Sequence, residues 1–312
     1  MDYIDINRSA WNARIETHLQ SNFYDLEGFK QGKNSIPNLD KSLLGNVRGK
    51  KVLHLQCHFG MDTISRARMG AEATGIDFSE IGIKTARTLN EELGNNARFV
   101  CCNVYDTPQE LHEEFDIVYT SYGVVNWLDN LNKWGDVVSQ MLRPGGRFVM
   151  VEFHPLLWML DESFSVMKYP YSRKEPYLTD DVSYTENGAD LQCKTITWNY
   201  GLSDIVQGLL RNNLRITHFG EHNLSPYNLF GNMKEEHGLF GIEGKEHLSL
   251  FCFLLSPQRN KGKQRKQHAF SPPSVCIPLF PQRQYAADKK AGEQANSMYG
   301  KAYTNPKTAQ YA

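Results

Sequence analysis

The 312-residue sequence lacks several features that would assign a chain to a class at once. Its six cysteines form no C-x-x-C pair and no disulfide-rich spacing, so we expect reduced thiols and a cytoplasmic protein. The longest apolar runs, near 148–153 and 248–255, have the length of a strand, so no membrane span is predicted. Asp2 and Asp5 stand where a signal peptide carries basic residues. These absences favour a globular protein that works in water.

Charge is unevenly distributed along the chain. Residues 259–312 hold ten lysines and arginines against two acids, whereas residues 1–258 hold 24 against 33. The tail also lacks apolar periodicity, and we expect it to be a disordered basic extension. The acidic residues 1–258 would repel phosphates, so nucleic acid is not the expected partner. The basic tail is the one feature that favours a nucleic-acid partner.

Apolar periodicity predicts the architecture of the remaining chain. Residues 5–20 have the pattern of an amphipathic helix and begin a predicted N-terminal helical cap, 1–46. From residue 47 to 258, strands alternate with helices. This alternation predicts an α/β, Rossmann-like, doubly wound and mostly parallel sheet of about seven strands with an antiparallel last strand. Residues 156–200, rich in tyrosine, proline and acids, interrupt the alternation and are predicted to form an inserted lid.

Local signals predict the limits of individual elements. Strands are expected at 51–56, 73–77, 97–103, 115–121, 147–153, 191–200, 214–219 and 247–255, and helices at 62–69, 131–141 and 203–212. Ser79 is a predicted N-cap of a further helix with Ile81, Thr85, Leu89 and Leu93 on one stripe. Thr107 and Glu110 have the spacing of a capping box, and Arg143-Pro144-Gly145-Gly146 is expected to stop the helix before it.

The most informative segment is the loop that follows the first predicted strand. An apolar strand leads through Gly60 into a helix, and the next strand ends in Asp77, a layout that binds an adenosine ribose. A dinucleotide fingerprint would need glycine at Gln56 and His58, where side chains obstruct a pyrophosphate. A nicotinamide-dependent dehydrogenase is therefore disfavoured, whereas S-adenosylmethionine has no phosphate to accommodate.

The order of these elements resembles the class I S-adenosylmethionine-dependent methyltransferases. The resemblance covers residues 47–155 and, more weakly, 201–255. Its matching pieces are Asp77 after the second strand, Asn103-Val104-Tyr105 after the third and Arg143-Pro144-Gly145-Gly146 before the fifth. The loop His54-Leu55-Gln56-Cys57-His58-Phe59-Gly60 is similar to that of a bacterial branch of small methyltransferases.

The resemblance implies S-adenosylmethionine as cofactor, with Asp77 on the ribose hydroxyls and Asn103 on the adenine amino group. The implied cofactor contacts are His54, Gln56, Cys57, His58, Gly60, Asp77, Phe78, Asn103, Val104, Tyr105, Ser121 and Tyr122. His54 stands where the family has an acid for the methionine ammonium. That contact is therefore expected from another residue, with the N-terminal cap as a source.

His54, Cys57 and His58 have the spacing of helical metal ligands, but on a strand and loop they share no face, so no metal is predicted. Cys57 is expected to be a buried, inert thiol.

His154 directly follows the fifth strand at the ligand-binding edge and is the candidate general base. Its alternative is a structural histidine packed on Trp158 or bonded to Glu152. Glu152 itself is expected to be a solvated or supporting carboxylate.

Aromatic residues in the flanking segments complete the expectation. Trp11, Tyr24, Trp127, Trp158 and Tyr227 are the predicted substrate-binding residues, since aromatic faces hold a sulfonium and exclude water. The leading hypothesis is methyl transfer to a small molecule through an O, N or C nucleophile. The alternatives are a methyltransferase acting on nucleic acid (RNA or DNA) or protein, suggested by the tail, and a non-catalytic cofactor-binding protein, suggested by the unusual loop.

Overall fold

The computed structural model describes residues 2–161, 164–186, 188, 191–228, 233–242 and 244, together with the backbone of 251–255 and 258–259. All of these residues belong to one unit that spans residues 1–263. The predicted disordered tail, 259–312, lies outside the described residues except for the backbone of Arg259, which forms the end of a short strand.

The described residues form eight α-helices. In chain order they are α1 (Tyr3–Leu19), α2 (Leu26–Lys30), α3 (Asn38–Leu44), α4 (Met61–Arg68), α5 (Glu80–Glu92), α6 (Thr107–Glu110), α7 (Leu131–Met141) and α8 (Leu202–Leu210). None of them combines the length and apolarity that crossing a bilayer requires.

The strands alternate with these helices as predicted. They are β1 (Lys51–Leu55), β2 (Glu72–Asp77), β3 (Arg98–Cys101), β4 (Phe115–Thr120), β5 (Leu142–Phe153), β6 (Tyr177–Asp181), β7 (Cys193–Thr197), β8 (Leu214–Arg215), β9 (Glu221–His222), β10 (Met233–Glu236), β11 (Leu239–Ile242), β12 (Phe251–Leu255) and β13 (Gln258–Arg259). The predicted strand at 214–219 is shortened to the two residues of β8.

The central sheet is mostly parallel. Its order is β3-β2-β1-β4-β5-β12-β9, in which the first five strands run parallel. β12 pairs antiparallel with β5, and β13 joins β5 to β8. The predicted Rossmann-like sheet is thus confirmed. The described sheet has nine strands where about seven were expected, because β9 and β13 are two-residue pairings that carry too short a pattern to recognise.

Two apolar clusters cover the opposite faces of this sheet. Leu53 and Leu55 of β1 face one cluster, in which the fully buried Trp134 of α7 packs on Phe148 at 5.5 Å between ring centroids. Val52, the residue before Leu53 on the strand, faces the other cluster. The helix predicted through Leu131, Trp134, Val138 and Met141 is confirmed as α7, and all four residues are buried. Both faces of the parallel strands are therefore covered, as buried parallel strands require.

Several predicted local details are wrong. Ser79 does cap α5, since its hydroxyl accepts from the Gly82 N–H, but the buried face comprises Ile83, Ala86 and Leu89 while Ile81 is 47% exposed. The capping box at Thr107 is absent, because Asp106 precedes the helix and the Thr107 hydroxyl donates to the Val104 carbonyl.

The segment 143–146 was also misplaced. It was expected to form a loop that stops a helix, but it lies within β5, which runs from Leu142 and pairs first with Phe115. The register between β4 and β5 shifts beyond that pair, which accommodates the Pro144-Gly145-Gly146 sequence in an irregular start of the strand.

Helix α1 is held against the sheet domain and the β6–β7 hairpin by two asparagines. Asn7, 1% exposed, donates to the Ile196 carbonyl and accepts from the Ile196 N–H, both at 2.8 Å. Asn12 accepts from the Ser79 hydroxyl at 2.6 Å and donates to Glu80 at 2.9 Å. The first helix therefore lies over the start of α5, directly beside the end of β2.

Candidate active site

The carboxyl ends of β1 to β5 meet at one edge of the sheet, where ligands of open parallel sheets bind. A cavity of about 1520 Å³ lies there. It is larger than the roughly 300–1,000 Å³ of common ligand pockets, so it has room for two small molecules side by side. All twelve residues predicted to contact the cofactor line it: His54, Gln56, Cys57, His58, Gly60, Asp77, Phe78, Asn103, Val104, Tyr105, Ser121 and Tyr122.

The loop between β1 and α4 has three residues in the left-handed region. Gln56 and His58 both have φ of 54°, and Gly60 has φ of 83°. A Cβ on Gly60 would lie 2.6 Å from the Phe99 ring and 2.8 Å from Ala86, so only glycine fits there. Gln56 and His58 stand where a dinucleotide fingerprint would carry glycine, and both keep the left-handed backbone conformation that favours glycine. Holding a larger residue in it costs of order 1 kcal/mol at each position. The loop has the fold of a cofactor-binding turn while presenting side chains.

Asp77 is the last residue of β2 and holds this loop through hydrogen bonds to its backbone. Its Oδ2 accepts from the His58 N–H and its Oδ1 accepts from the Ser79 N–H, both at 2.9 Å. Burial raises the pKa of the carboxyl to about 6, against the lowering effect of those N–H groups. The group is therefore ionised at neutral pH, and the remaining lone pairs of its two oxygens can accept from two adjacent hydroxyls.

The end of β3 supplies the next part of the cavity wall. Asn103 caps a 3₁₀ turn, and its Oδ1 accepts from the Tyr105 N–H at 3.1 Å. Tyr105 bonds to the backbone of Asn130, which fixes its ring beside Val104. This wall offers an amide and two apolar surfaces at the position that the resemblance gives to adenine.

Comparisons with known proteins agree with this geometry. Residues 52–146 match the family model described as a methyltransferase domain. A ubiquinone biosynthesis O-methyltransferase of Photorhabdus laumondii is 27% identical over 148 residues, which are 46% of this chain and 61% of that protein. The protein of the same name from Chromobacterium violaceum is 31% identical over 101 residues, 32% of this chain and 43% of that one. The chain thus matches only about half of the length of these relatives.

Solved structures share the fold. A Listeria monocytogenes protein assigned to the S-adenosylmethionine-dependent methyltransferases is 18% identical, covers 71% of this chain and 95% of its own, and has a TM-score of 0.51. Residues 52–146 therefore match a methyltransferase domain, and the described residues share the fold of the Listeria protein.

The residues that line the cavity fit S-adenosylmethionine, the cofactor that the sequence resemblance implies. Among the described residues, Gln56 Oε1 and His54 Nε2 are buried without a hydrogen-bond partner, and both residues line the cavity beside the loop. An amino-acid group bears the donors and acceptors that such orphaned atoms need, since a buried polar atom without a partner is costly. Burial lowers the pKa of His54 well below its usual range, with Arg66 adding to the effect, so its imidazole is neutral.

His58 joins the cofactor loop to the N-terminal segment. Its Nε2 lies 2.8 Å from Nδ1 of His18 on α1, and the His18 Nε2 lies 2.8 Å from the Ser183 hydroxyl. Burial lowers the pKa of His18 to about 3, so this chain of hydrogen bonds joins two neutral imidazoles. The link connects α1 to the cofactor loop and to the segment after β6. Along the chain, His58 is 40 residues and Ser183 is 165 residues from His18.

All five predicted substrate-binding aromatics, Trp11, Tyr24, Trp127, Trp158 and Tyr227, line the cavity. The Trp11 ring lies 5.2 Å from Trp127 and 5.3 Å from His58. The guanidinium of Arg14, which is 2% exposed, lies over both indoles and pairs with Asp181 at 3.0 Å. The aromatic wall is thus fastened to the β6–β7 hairpin by a buried cation.

His154 does not occupy the place predicted for a general base. It is 4% exposed and is not among the residues that line the cavity. Its Nδ1 accepts from the Leu156 N–H at 3.1 Å and its Nε2 lies 2.9 Å from Glu221. Both ring nitrogens are therefore used to hold the turn after β5, and its carboxylate partner is Glu221 instead of Glu152.

Glu152 is the supporting one of the two carboxylates that the sequence analysis allowed, since it is fully buried and not solvated. Its two oxygens accept from the N–H groups of Gly123, Val124, Val125 and Phe153. Burial raises the pKa of this carboxyl to about 7 against those bonds. Glu152 shapes the loop after β4, which carries Ser121 and Tyr122 into the cavity.

Cys57 is the buried thiol that the sequence analysis expected. Burial raises its pKa well above the usual range.

Sequence reasoning missed a buried acid, Asp40 of α3. It accepts hydrogen bonds from the hydroxyls of Tyr119 and Tyr122, and burial raises its pKa to about 6. The Arg66 guanidinium lies 3.7 Å above the Tyr119 ring. Arg14, His18 and Ser183 were also missed. The signal available for Arg14 and His18 was their i, i+4 spacing, which places both side chains on one face of α1.

Proposed function

We propose that this chain transfers the methyl group of S-adenosylmethionine to a small-molecule acceptor through an oxygen, nitrogen or carbon nucleophile. One observation carries the proposal: a single cavity is lined by the cofactor loop, by Asp77 and by an aromatic wall, and it exceeds the volume of one ligand. The relatives named as ubiquinone biosynthesis O-methyltransferases support a small acceptor.

In this proposal the protein positions its ligands, because the sulfonium supplies an already activated methyl group. Asp77 accepts from the ribose hydroxyls, and Asn103, Val104 and Tyr105 hold the adenine. Gln56 and His58 contact the methionine part of the cofactor. The acceptor then lies over the ends of β4 and β5, where Tyr122, Trp158 and Tyr227 line the cavity.

Residues 1–46 act as a cap and residues 156–200 as a lid over the methyltransferase domain, 47–258. The bonds of Asn7 to Ile196, Arg14 to Asp181 and His18 to Ser183 support this assignment, since each joins α1 to the segment 181–196. A closed cap excludes water from the reacting atoms and keeps the nucleophile in line with the methyl carbon.

An oxygen or nitrogen acceptor must also lose a proton. His154 does not line the cavity and its ring nitrogens bond to Leu156 and Glu221, so we assign this step to Tyr122, whose hydroxyl donates to the buried carboxylate of Asp40. Tyr122 takes the acceptor proton as its own passes to Asp40, while the bond from the methyl carbon to the acceptor forms and the bond to sulfur breaks.

The alternative of a nucleic-acid or protein acceptor depends on the basic tail, which lies outside the described residues. In the described cavity wall, Arg14 and Lys33 are already paired with Asp181 and Asp25, and the wall carries five aspartates, which disfavours phosphate binding. A non-catalytic cofactor-binding protein is disfavoured for another reason, because the cavity volume beyond the cofactor loop would then serve no ligand.

The test uses methyl-labelled S-adenosylmethionine with extracts of a strain that lacks the gene. The extract is divided into molecules below about 1 kDa, RNA and protein, and each fraction is incubated with the purified full chain or with D77N. We expect label in the small-molecule fraction with the native chain alone, as a product 14 daltons heavier than a compound that accumulates in the deletion strain. Label confined to RNA or protein would contradict the proposal, as would no transfer to any fraction.

A further inference from the structure

The cavity contains a carboxylate that the proposed mechanism has not used. Asp62 is the second residue of α4, two residues after Gly60, and it lines the cavity. Its Oδ1 accepts from the Ser35 hydroxyl at 2.6 Å. Among the described residues it forms no ion pair with a lysine, arginine or histidine. A half-buried carboxylate on a ligand cavity thus lacks a cation from the protein.

Other acids on the cavity wall are already satisfied. Asp25 pairs with Lys33 at 2.7 Å, and Asp181 pairs with Arg14 at 3.0 Å. Asp77 accepts two backbone N–H groups, and Asp161 accepts the N–H groups of Ser165 and Val166. Asp62 therefore differs from these neighbours because, among the described residues, its carboxylate has neither a cation nor a backbone N–H as a partner.

Strand order fixes which part of the cofactor lies near Asp62. The strands run β3, β2, β1, β4 across the sheet, with Asn103 after β3 and Asp77 at the end of β2. With adenine beside β3 and ribose beside β2, the methionine part continues over the end of β1. The helix that follows β1 is α4, and its first turn carries Asp62.

Two orphaned polar atoms lie at the same part of the cavity. His54, in β1, is 3% exposed; its Nδ1 bonds to Thr63, next to Asp62, and its Nε2 has no partner. Gln56 donates through Nε2 to the Val124 carbonyl at 3.1 Å, which leaves its buried Oε1 without a donor. An ammonium group supplies up to three donors, and a carboxylate with an amide oxygen is a suitable set of acceptors for it.

We infer that Asp62, assisted by Gln56 Oε1, binds the α-ammonium of the cofactor's methionine group, in place of the acid that is missing at position 54. The sequence analysis expected this contact from the N-terminal cap, and the structure offers a carboxylate from α4 instead. Ser35, from the segment before α3, orients the Asp62 carboxylate through its hydroxyl. The inference rests on the proposed function, since it needs the cofactor in this cavity.

The test compares two ligands by calorimetry on the full chain. S-adenosylhomocysteine carries the ammonium but no sulfonium charge, and 5′-methylthioadenosine lacks the whole amino-acid group. D62N should weaken S-adenosylhomocysteine about 10- to 100-fold, the worth of one hydrogen bond to a charged group, and change methylthioadenosine less than about 2-fold. D161N removes a different cavity carboxylate and should leave both affinities unchanged.

A second variant covers the case in which D62N fails to fold. S35A removes only the hydroxyl that orients Asp62, and it should weaken S-adenosylhomocysteine by roughly 2- to 5-fold without affecting methylthioadenosine. Equal losses for both ligands, or no loss for either, in D62N or S35A would overturn the assignment of Asp62. Failure of the native chain to bind either nucleoside would instead contradict the proposed function.

Discussion

Two hydrogen bonds of Asn7 join α1 to the β6–β7 hairpin. Their loss has an energetic cost that can be worked out from the structure. Asn7 is almost fully buried and satisfies both the N–H and the carbonyl of Ile196. The N7A change removes both bonds at once and leaves two main-chain groups of β7 without partners. Because Asn7 lies on the one helix that also carries Arg14 and His18, the change should loosen the hairpin from the cap without reaching the central sheet.

The expected cost is about 2 kcal/mol, since each lost bond contributes roughly 1 kcal/mol and water can enter the space left by the side chain. That cost should raise the population in which the hairpin is undocked by about 30-fold. Amide hydrogen exchange reads this population residue by residue, because local opening sets the exchange rate of a protected N–H.

We therefore expect the Trp198 amide, which follows β7 and donates to the Asn126 carbonyl at 2.9 Å, to exchange about 30-fold faster in N7A, while the amide of Val118 in β4 keeps its native rate. E16A is the matched control, because Glu16 lies on the exposed side of α1 and its side chain bonds, among the described residues, to Gln20. A Trp198 rate within about 3-fold of the native one would refute the docking role of Asn7. So would an equal acceleration of Val118, which would indicate global destabilisation.

Two further predictions concern the cofactor loop and Asp77. G60A should lower the free energy of unfolding in urea by about 3 kcal/mol, because the added Cβ meets Phe99 and Ala86. G94A is the control: Gly94 has φ of 61° and open space around it, so its substitution should cost about 1 kcal/mol. Equal losses in the two variants would contradict the packing argument. The pKa of Asp77 is about 6, and its ionised form accepts the ribose hydroxyls, so S-adenosylmethionine affinity should be constant above pH 7 and fall towards tenfold per unit below pH 6. A flat profile from pH 5 to 8, measured by calorimetry, would contradict that role.

The parts of the fold that sequence reasoning predicted are those encoded locally. β1 and β4 are short apolar runs, Ser79 precedes a periodic helix, and Asp77 ends a strand at the expected distance from Gly60. Each of these signals lies within a few residues of the feature it predicts. That is why the sheet and the cofactor wall could be expected from the chain alone.

The contacts that were missed join distant segments. His18 meets His58 and Ser183, and His154 meets Glu221 across 67 residues. No local periodicity indicates such pairs, because each depends on how the strand order places one loop beside another. The general base assigned to His154 failed for this reason: its position after β5 was right, but its side chain turns to a partner that the sequence could not indicate.

The buried acids are a second class of missed features. Asp40 lies on a short helix with polar neighbours and gives no sequence sign that two tyrosine hydroxyls will enclose it. Glu152 lies within the apolar strand β5, and the sequence left open whether it is solvated or supporting; in the structure it accepts four N–H groups. Only the tertiary arrangement reveals that both stabilise the loop after β4.

The central claim is that Asp77 and a glycine-poor loop bind an adenosine cofactor that has no phosphates. The most direct measurement is calorimetric titration of the full chain with S-adenosylmethionine and, separately, with NAD, repeated on D77N. The account predicts binding of S-adenosylmethionine alone, weakened at least about 100-fold in D77N, since two charge-assisted hydrogen bonds are lost. Binding of NAD, or S-adenosylmethionine affinity that D77N leaves intact, would contradict it.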